Sequence, residues 1–216
     1  MLDRPLAPRA PGRAGLLASF RHALRGVVEV AARERNMKLH LCAGTAVGVL
    51  GSEVALSLGA RLALVLCVTL VLAGEALNSA LESLVDLHTR EFRDEARRVK
   101  DAAAGVVLLL AGGAVLTGTA VVASSGRELA EAWPRLRGGA AVDATAVGCV
   151  AALLFLPLAR RPAAVIALAG AASLLGVAAR SVSPTFSAMA LAMLALAVGA
   201  KFAARRDGAG RGTGGP

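Results

Sequence analysis

Six stretches without a charged side chain divide this chain, at residues 41–52, 62–74, 102–126, 144–159, 162–179 and 181–200. Several approach the roughly 20 residues that carry a helix across about 30 Å of hydrocarbon. Backbone groups in lipid must be satisfied within the segment, so such runs fold as helices or not at all. With 56% hydrophobic residues and a mean hydropathy of +0.64, the chain does not fit a water-soluble domain. The expectation is an all-α membrane protein with spans near 39–54, 56–87, 102–123, 141–159, 162–179 and 184–202. The first two runs are short and rely on their flanks.

The basic residues orient these spans. With the N-terminus in the cytoplasm, cytoplasmic segments hold 19 of the 24 Lys and Arg residues. That asymmetry satisfies the positive-inside rule with both termini cytoplasmic, in a multi-pass protein of the inner (plasma) membrane. The net charge of +9 then reflects topology and attraction to anionic lipid. No basic patch interleaved with aromatics supports a nucleic-acid partner. Residues 1–18 read as a flexible basic arm without the apolar core of a signal peptide, and 203–216 as a disordered Gly-rich tail. Cys42, Cys67 and Cys149 sit in apolar runs at unrelated spacings and read as small buried hydrophobes.

Residues 19–35 carry Phe20, Ala23, Leu24, Val27, Val28 and Ala31 on one helical face, the pattern of an amphipathic helix lying on the membrane surface. The segment 124–140, with Trp133 and Pro134, reads as an external loop. Residues 141–202 read as an appended module of three further spans, poor in ionisable groups.

Within the second span, Glu75, Asn78, Glu82 and Asp86 follow at offsets of 3, 7 and 11, which places them on one helix face. Intramembrane carboxylates are costly unless paired, hydrated or bound to metal, and therefore point to function. Carboxylates a turn or two apart suit Mg²⁺ binding and general-base work. Glu34, Asn36, Lys38 and His40 lie at the same membrane depth, at the start of the first span. Lys100 is one of only three lysines against 21 arginines, a compact ammonium suited to phosphate. Asp101 beside it suits the cap of the third span. Neither a P-loop nor a protein-kinase glycine loop is present, and zinc-type spacings are absent.

In their order, these segments resemble the small integral-membrane diacylglycerol kinase family, which includes bacterial undecaprenol kinases. The resemblance covers about residues 19–118. It is carried by Glu34-Arg-Asn36-Met-Lys38-Leu-His40, Glu75-Ala-Leu-Asn78-Ser-Ala-Leu-Glu82-Ser-Leu-Val-Asp86 and Lys100-Asp101-Ala-Ala-Ala-Gly105. It implies a three-span kinase core over 19–123, assembled as a homotrimer with active sites shared between protomers. The implied reaction moves the γ-phosphoryl group of MgATP to a lipid hydroxyl. By matching position, Glu75 resembles the general base and Glu34 and Glu82 the Mg²⁺ ligands. Asn78, Lys100 and Asn36 would meet substrate or nucleotide, and Asp101 would support Lys100. The Glu-Arg-Asn-x-x-x-His segment is similar to the subgroup favouring undecaprenol over diacylglycerol. The competing reading, a catalytically silent oligomeric scaffold, is disfavoured by the intact polar set. A phosphatase in 141–202 is disfavoured because that segment has no histidine.

Overall fold

The computed structural model describes residues 15–88 and 94–210, seven α-helices with no strand among the described residues. They are α1 (Leu16–Arg33), α2 (Arg35–Glu53), α3 (Leu58–His88), α4 (Asp94–Ser124), α5 (Gly126–Phe155), α6 (Arg160–Arg180) and α7 (Pro184–Gly210). Most of the expected basic arm, residues 89–93 of the charged connection and residues 211–216 of the tail lie outside the described residues. Five helices, α3 to α7, are long and apolar enough to cross a membrane. The protein is an all-α, multi-pass membrane protein.

The chain turns from α1 into α2 at one residue. Glu34 takes an extended conformation (φ −81°, ψ 125°). Its N–H donates to the Val30 carbonyl at 2.8 Å, and its own carbonyl accepts from Lys38 N–H at 3.3 Å. Both helices are thus closed at the break by backbone bonds that would otherwise be orphaned. α1 keeps Phe20, Leu24 and Val27 exposed, an apolar strip of the kind that rests on a bilayer.

α2, expected as the first span, is less apolar than those five helices. It lies at the centre, alongside the spanning helix α7. Its neighbours include α1, α3, α5, α6 and α7. Gly44, Gly48 and Gly51 form a small-residue stripe, and the α7 residues Met193, Ala190 and Phe186 meet them in that order, so the two helices run antiparallel. A Cβ on Gly48 would stand 3.0 Å from the Phe186 carbonyl oxygen and 3.1 Å from Ala190 N. Small residues at this spacing let membrane helices approach to backbone contact.

The expected extra C-terminal helices are present, and this packing corrects only their separateness from the core. Residues 141–202 share one core with α2: Met37, Leu41 and Val49 are buried with Val150, Leu153, Leu174, Val177, Phe186 and Ala197. The physical reason is that a glycine-faced helix with charged flanks needs protein neighbours, and α5–α7 supply them. The segment 124–140 is also corrected. It is helical apart from Ser125, because Ala132 is fully buried in the core and Pro134 is accommodated inside α5. α7 likewise continues past residue 202 into the expected tail.

α3 and α4 form a long antiparallel hairpin, with Gly74 against Leu110 and Val107. Few of their side chains are buried, and Leu62, Leu66, Leu70, Leu108, Leu109 and Leu116 are exposed. An outward apolar face is stable where the solvent is lipid. At 31 residues, α3 is about 46 Å long, more than the hydrocarbon needs, so one end stands clear of it.

Candidate active site

The polar stripe of α3 meets α2 at Glu75. The antiparallel pair touches at Gly44 and Val68, and one turn further along α2 His40 faces Glu75, with Nε2 3.5 Å from Oε1. Glu75 is 2% exposed. A carboxyl so enclosed sits in a low-dielectric setting, where each polar contact counts for more than it would in water.

One turn on, Asn78 Nδ2 donates to Glu82 Oε1 at 3.0 Å. Asn78 Oδ1 is sealed from solvent and has no hydrogen-bond partner among the described residues, which leaves an open acceptor beside the carboxylates. The extended break at Glu34 brings its side chain to the same stretch of α3. Ser79 Oγ donates to Glu34 Oε1 at 3.5 Å. Glu34, His40, Glu75, Asn78 and Glu82 are therefore gathered by two events, the α1–α2 break and the α2–α3 contact.

Other candidates lie apart. Lys100 Nζ is 2.5 Å from Asp86 Oδ1, at the far end of the stripe. Asp101 does not support Lys100. Neighbours on a helix point about 100° apart, and Asp101 Oδ2 instead lies 3.6 Å from Arg97 Nη1. Nor does Asp101 cap a helix start, since α4 begins at Asp94. Asn36 is exposed on the first turn of α2.

Two features had no single-element signal. Ser79 lies within the quoted motif but gains meaning only through its contact with Glu34. The second is a buried ionic cluster at the other end of α2. Glu53, 0% exposed, receives Arg180 Nε at 2.7 Å, and Arg180 also bonds Asp143. Arg135 donates to the Glu53 backbone carbonyl through Nε and Nη2 at 3.2 and 3.1 Å. Val182 N–H and Ser181 Oγ both donate to the Ser52 carbonyl. The terminal carbonyls of α2 are thus satisfied by α5 and by the α6–α7 connection.

Chemically, the first cluster offers a buried proton acceptor and two carboxylates with hard oxygen donors. Among the described residues no three His, Cys, Asp or Glu side chains converge closely enough to hold a metal by themselves. Mg²⁺ does not require that. It commonly binds one or two carboxylates, waters and substrate phosphates. Glu34 and Glu82, brought to one stretch of α3, fit that requirement.

Comparison with known proteins gives concordant findings. The family model for prokaryotic diacylglycerol kinase matches residues 21–122. A diacylglycerol kinase from Synechocystis is 43% identical over 104 residues, covering 48% of this chain and 59% of the relative. An undecaprenol kinase from Bacillus subtilis is 41% identical over 93 residues, covering 43% of this chain and 76% of the relative. The chain thus spans less than two thirds of the cyanobacterial relative and about three quarters of the other. No solved structure matches it.

Proposed function

Because this chain belongs to the prokaryotic diacylglycerol kinase family, we propose that it transfers the γ-phosphoryl group of ATP to the hydroxyl of a membrane lipid. The observation that carries this reading is the buried Glu75 beside the open acceptor of Asn78, with Glu34 and Glu82 at the same stretch of α3. Phosphoryl transfer needs a positioned alcohol, a proton acceptor and neutralisation of phosphate charge. Glu75 accepts the hydroxyl proton, and its burial keeps it on the lipid side of the site. Asn78 Oδ1, unpaired beside it among the described residues, is available to a donor group of the nucleotide and would orient that partner.

Glu34 and Glu82 would hold Mg²⁺, which when bound supplies charge neutralisation on the phosphates. Lys100 adds a cation for phosphate. Eleven residues separate Glu75 from Lys100's partner Asp86, roughly 16 Å along the helix. That separation is one that a homotrimer of the kind the family resemblance implies would bridge, with a neighbouring protomer completing each site. Asp101 has no part in this reading, and Asn36 bears only on the choice of lipid.

The lipid is an isoprenoid alcohol, undecaprenol, in preference to diacylglycerol. Asn36 and His40 set this chain beside the undecaprenol-type pattern, and His40 touches the proposed base. The site faces the cytoplasm, with both termini on that side of the plasma membrane, in line with the distribution of Lys and Arg.

The test is direct. Purified protein with MgATP and either lipid in mixed micelles should yield the phosphorylated lipid and ADP in equal amounts. Absence of product with both lipids would remove the proposal.

A further inference from the structure

A base enclosed as Glu75 is must pass on the proton it takes before it can act again. Its side chain is 3% exposed, and that of His40, 3.5 Å away, is 26% exposed. The imidazole therefore touches the buried carboxyl on one side and the outside on the other. The other charged groups whose fields reach Glu75 are Glu34 and Glu82, and each is engaged elsewhere, with Ser79 and Asn78. α4 meets this part of α3 through Val107 and Leu110 against Gly74, and α7 meets the adjoining turn of α2 through Met193 against Gly44. Neither contributes a titratable group there.

We infer that His40 is the positioning residue of the site, orienting the Glu75 carboxylate and carrying its proton to water. The inference rests on the kinase reading above. As a lone pair of the lipid oxygen forms the new bond to phosphorus, the bond from the γ-phosphorus to its bridging oxygen breaks. That electron pair leaves with the nucleoside diphosphate, and the hydroxyl proton moves to Glu75. Glu75 passes the proton to the lone pair on His40 Nε2, and Nδ1 releases one to water on the exposed side. A half-turn of the ring then presents the bare Nδ1 to Glu75 and the Nε2–H to water, so the next proton crosses the ring in the opposite sense. One proton leaves per phosphoryl group transferred, and Glu75 is again a carboxylate.

The experiment uses the full chain and its variants His40→Ala and His40→Gln, each checked for the wild-type oligomer. In both, kcat should fall by about 100-fold, as for loss of a proton-transfer partner. KM for ATP and for lipid should stay within about two-fold. Added imidazole should restore turnover to His40→Ala, which leaves room for it, and not to His40→Gln. A kcat close to wild type in either variant, or a loss in His40→Ala that imidazole does not relieve, would overturn the inference. Should His40→Ala fail to assemble, the kinetic split in His40→Gln decides: a fall in kcat with both KM values held supports the relay, and an unchanged kcat rejects it. Wild-type protein inactive on both lipids would instead sink the kinase reading itself, which an active wild type with an indifferent His40 leaves standing.

Discussion

Lys100 Nζ lies 2.5 Å from Asp86 Oδ1, which fastens α4 to α3 at the outer end of the polar stripe. Asp86 shares the face of Glu75, Asn78 and Glu82, and in the proposed kinase reading this contact aims the Lys100 ammonium. Both groups are partly exposed, so the pair contributes at most about 1 kcal/mol to stability. Lys100→Met should therefore leave the melting temperature nearly unchanged, while kcat/KM for ATP drops by about 10-fold or more. Asp86→Asn should give a smaller loss, read mainly in KM. Steady-state kinetics on the two variants checks both.

At the opposite end of α2, Glu53 has no exposed surface and depends on Arg180. Removing one partner of a buried pair strands the other charge. Arg180→Ala should cost about 3–5 kcal/mol, measured as unfolding in detergent. The double variant Arg180→Ala/Glu53→Gln should recover part of that loss, because of the two carboxylates that Arg180 serves only Asp143 is then left stranded.

The α2–α7 seam gives a third prediction. At Gly48 an added Cβ meets backbone atoms of Phe186 and Ala190, which cannot rotate away as a side chain tip could. Gly48→Val should destabilise the protein by roughly 1–3 kcal/mol. Gly118→Val, in a place with nothing within 4 Å, should be nearly neutral. Thermal unfolding of the two variants side by side tests the contrast.

Much of this was legible in the sequence for a physical reason. Uncharged runs near membrane length report spans one residue at a time, and the 3–4 spacing of Glu75, Asn78 and Glu82 reports a shared face. What escaped depends on contacts between distant segments. Glu53, Asp143 and Arg180 stand at the edges of separate runs, and nothing local says that they meet. Gly126, Pro134 and Gly138-Gly139 look like loop chemistry, yet burial of Ala132 carries α5 through them. α2, short and flanked by charge, looked like a marginal span, because a glycine stripe is silent until the residues that fill it are known. For the same reason Lys100 could be singled out as one of three lysines but not connected to Asp86.

On lipid preference, undecaprenol and diacylglycerol offered together at equal surface concentration should compete, with undecaprenol taking the larger share of labelled phosphate. Equal labelling would show that Asn36 and His40 carry no information about the acceptor, and a bias toward diacylglycerol would reverse the assignment.

The most direct measurement is transfer of radiolabelled γ-phosphate from MgATP to lipid by the Glu75→Gln variant. Glutamine keeps the size of the side chain and a hydrogen-bonding carbonyl but cannot take the hydroxyl proton. Turnover should fall by at least about 100-fold, with the oligomer and melting temperature retained, since a buried carboxyl is replaced by a neutral amide. Wild-type turnover in that variant would contradict the account, because the buried centre of the site would then have no part in the chemistry.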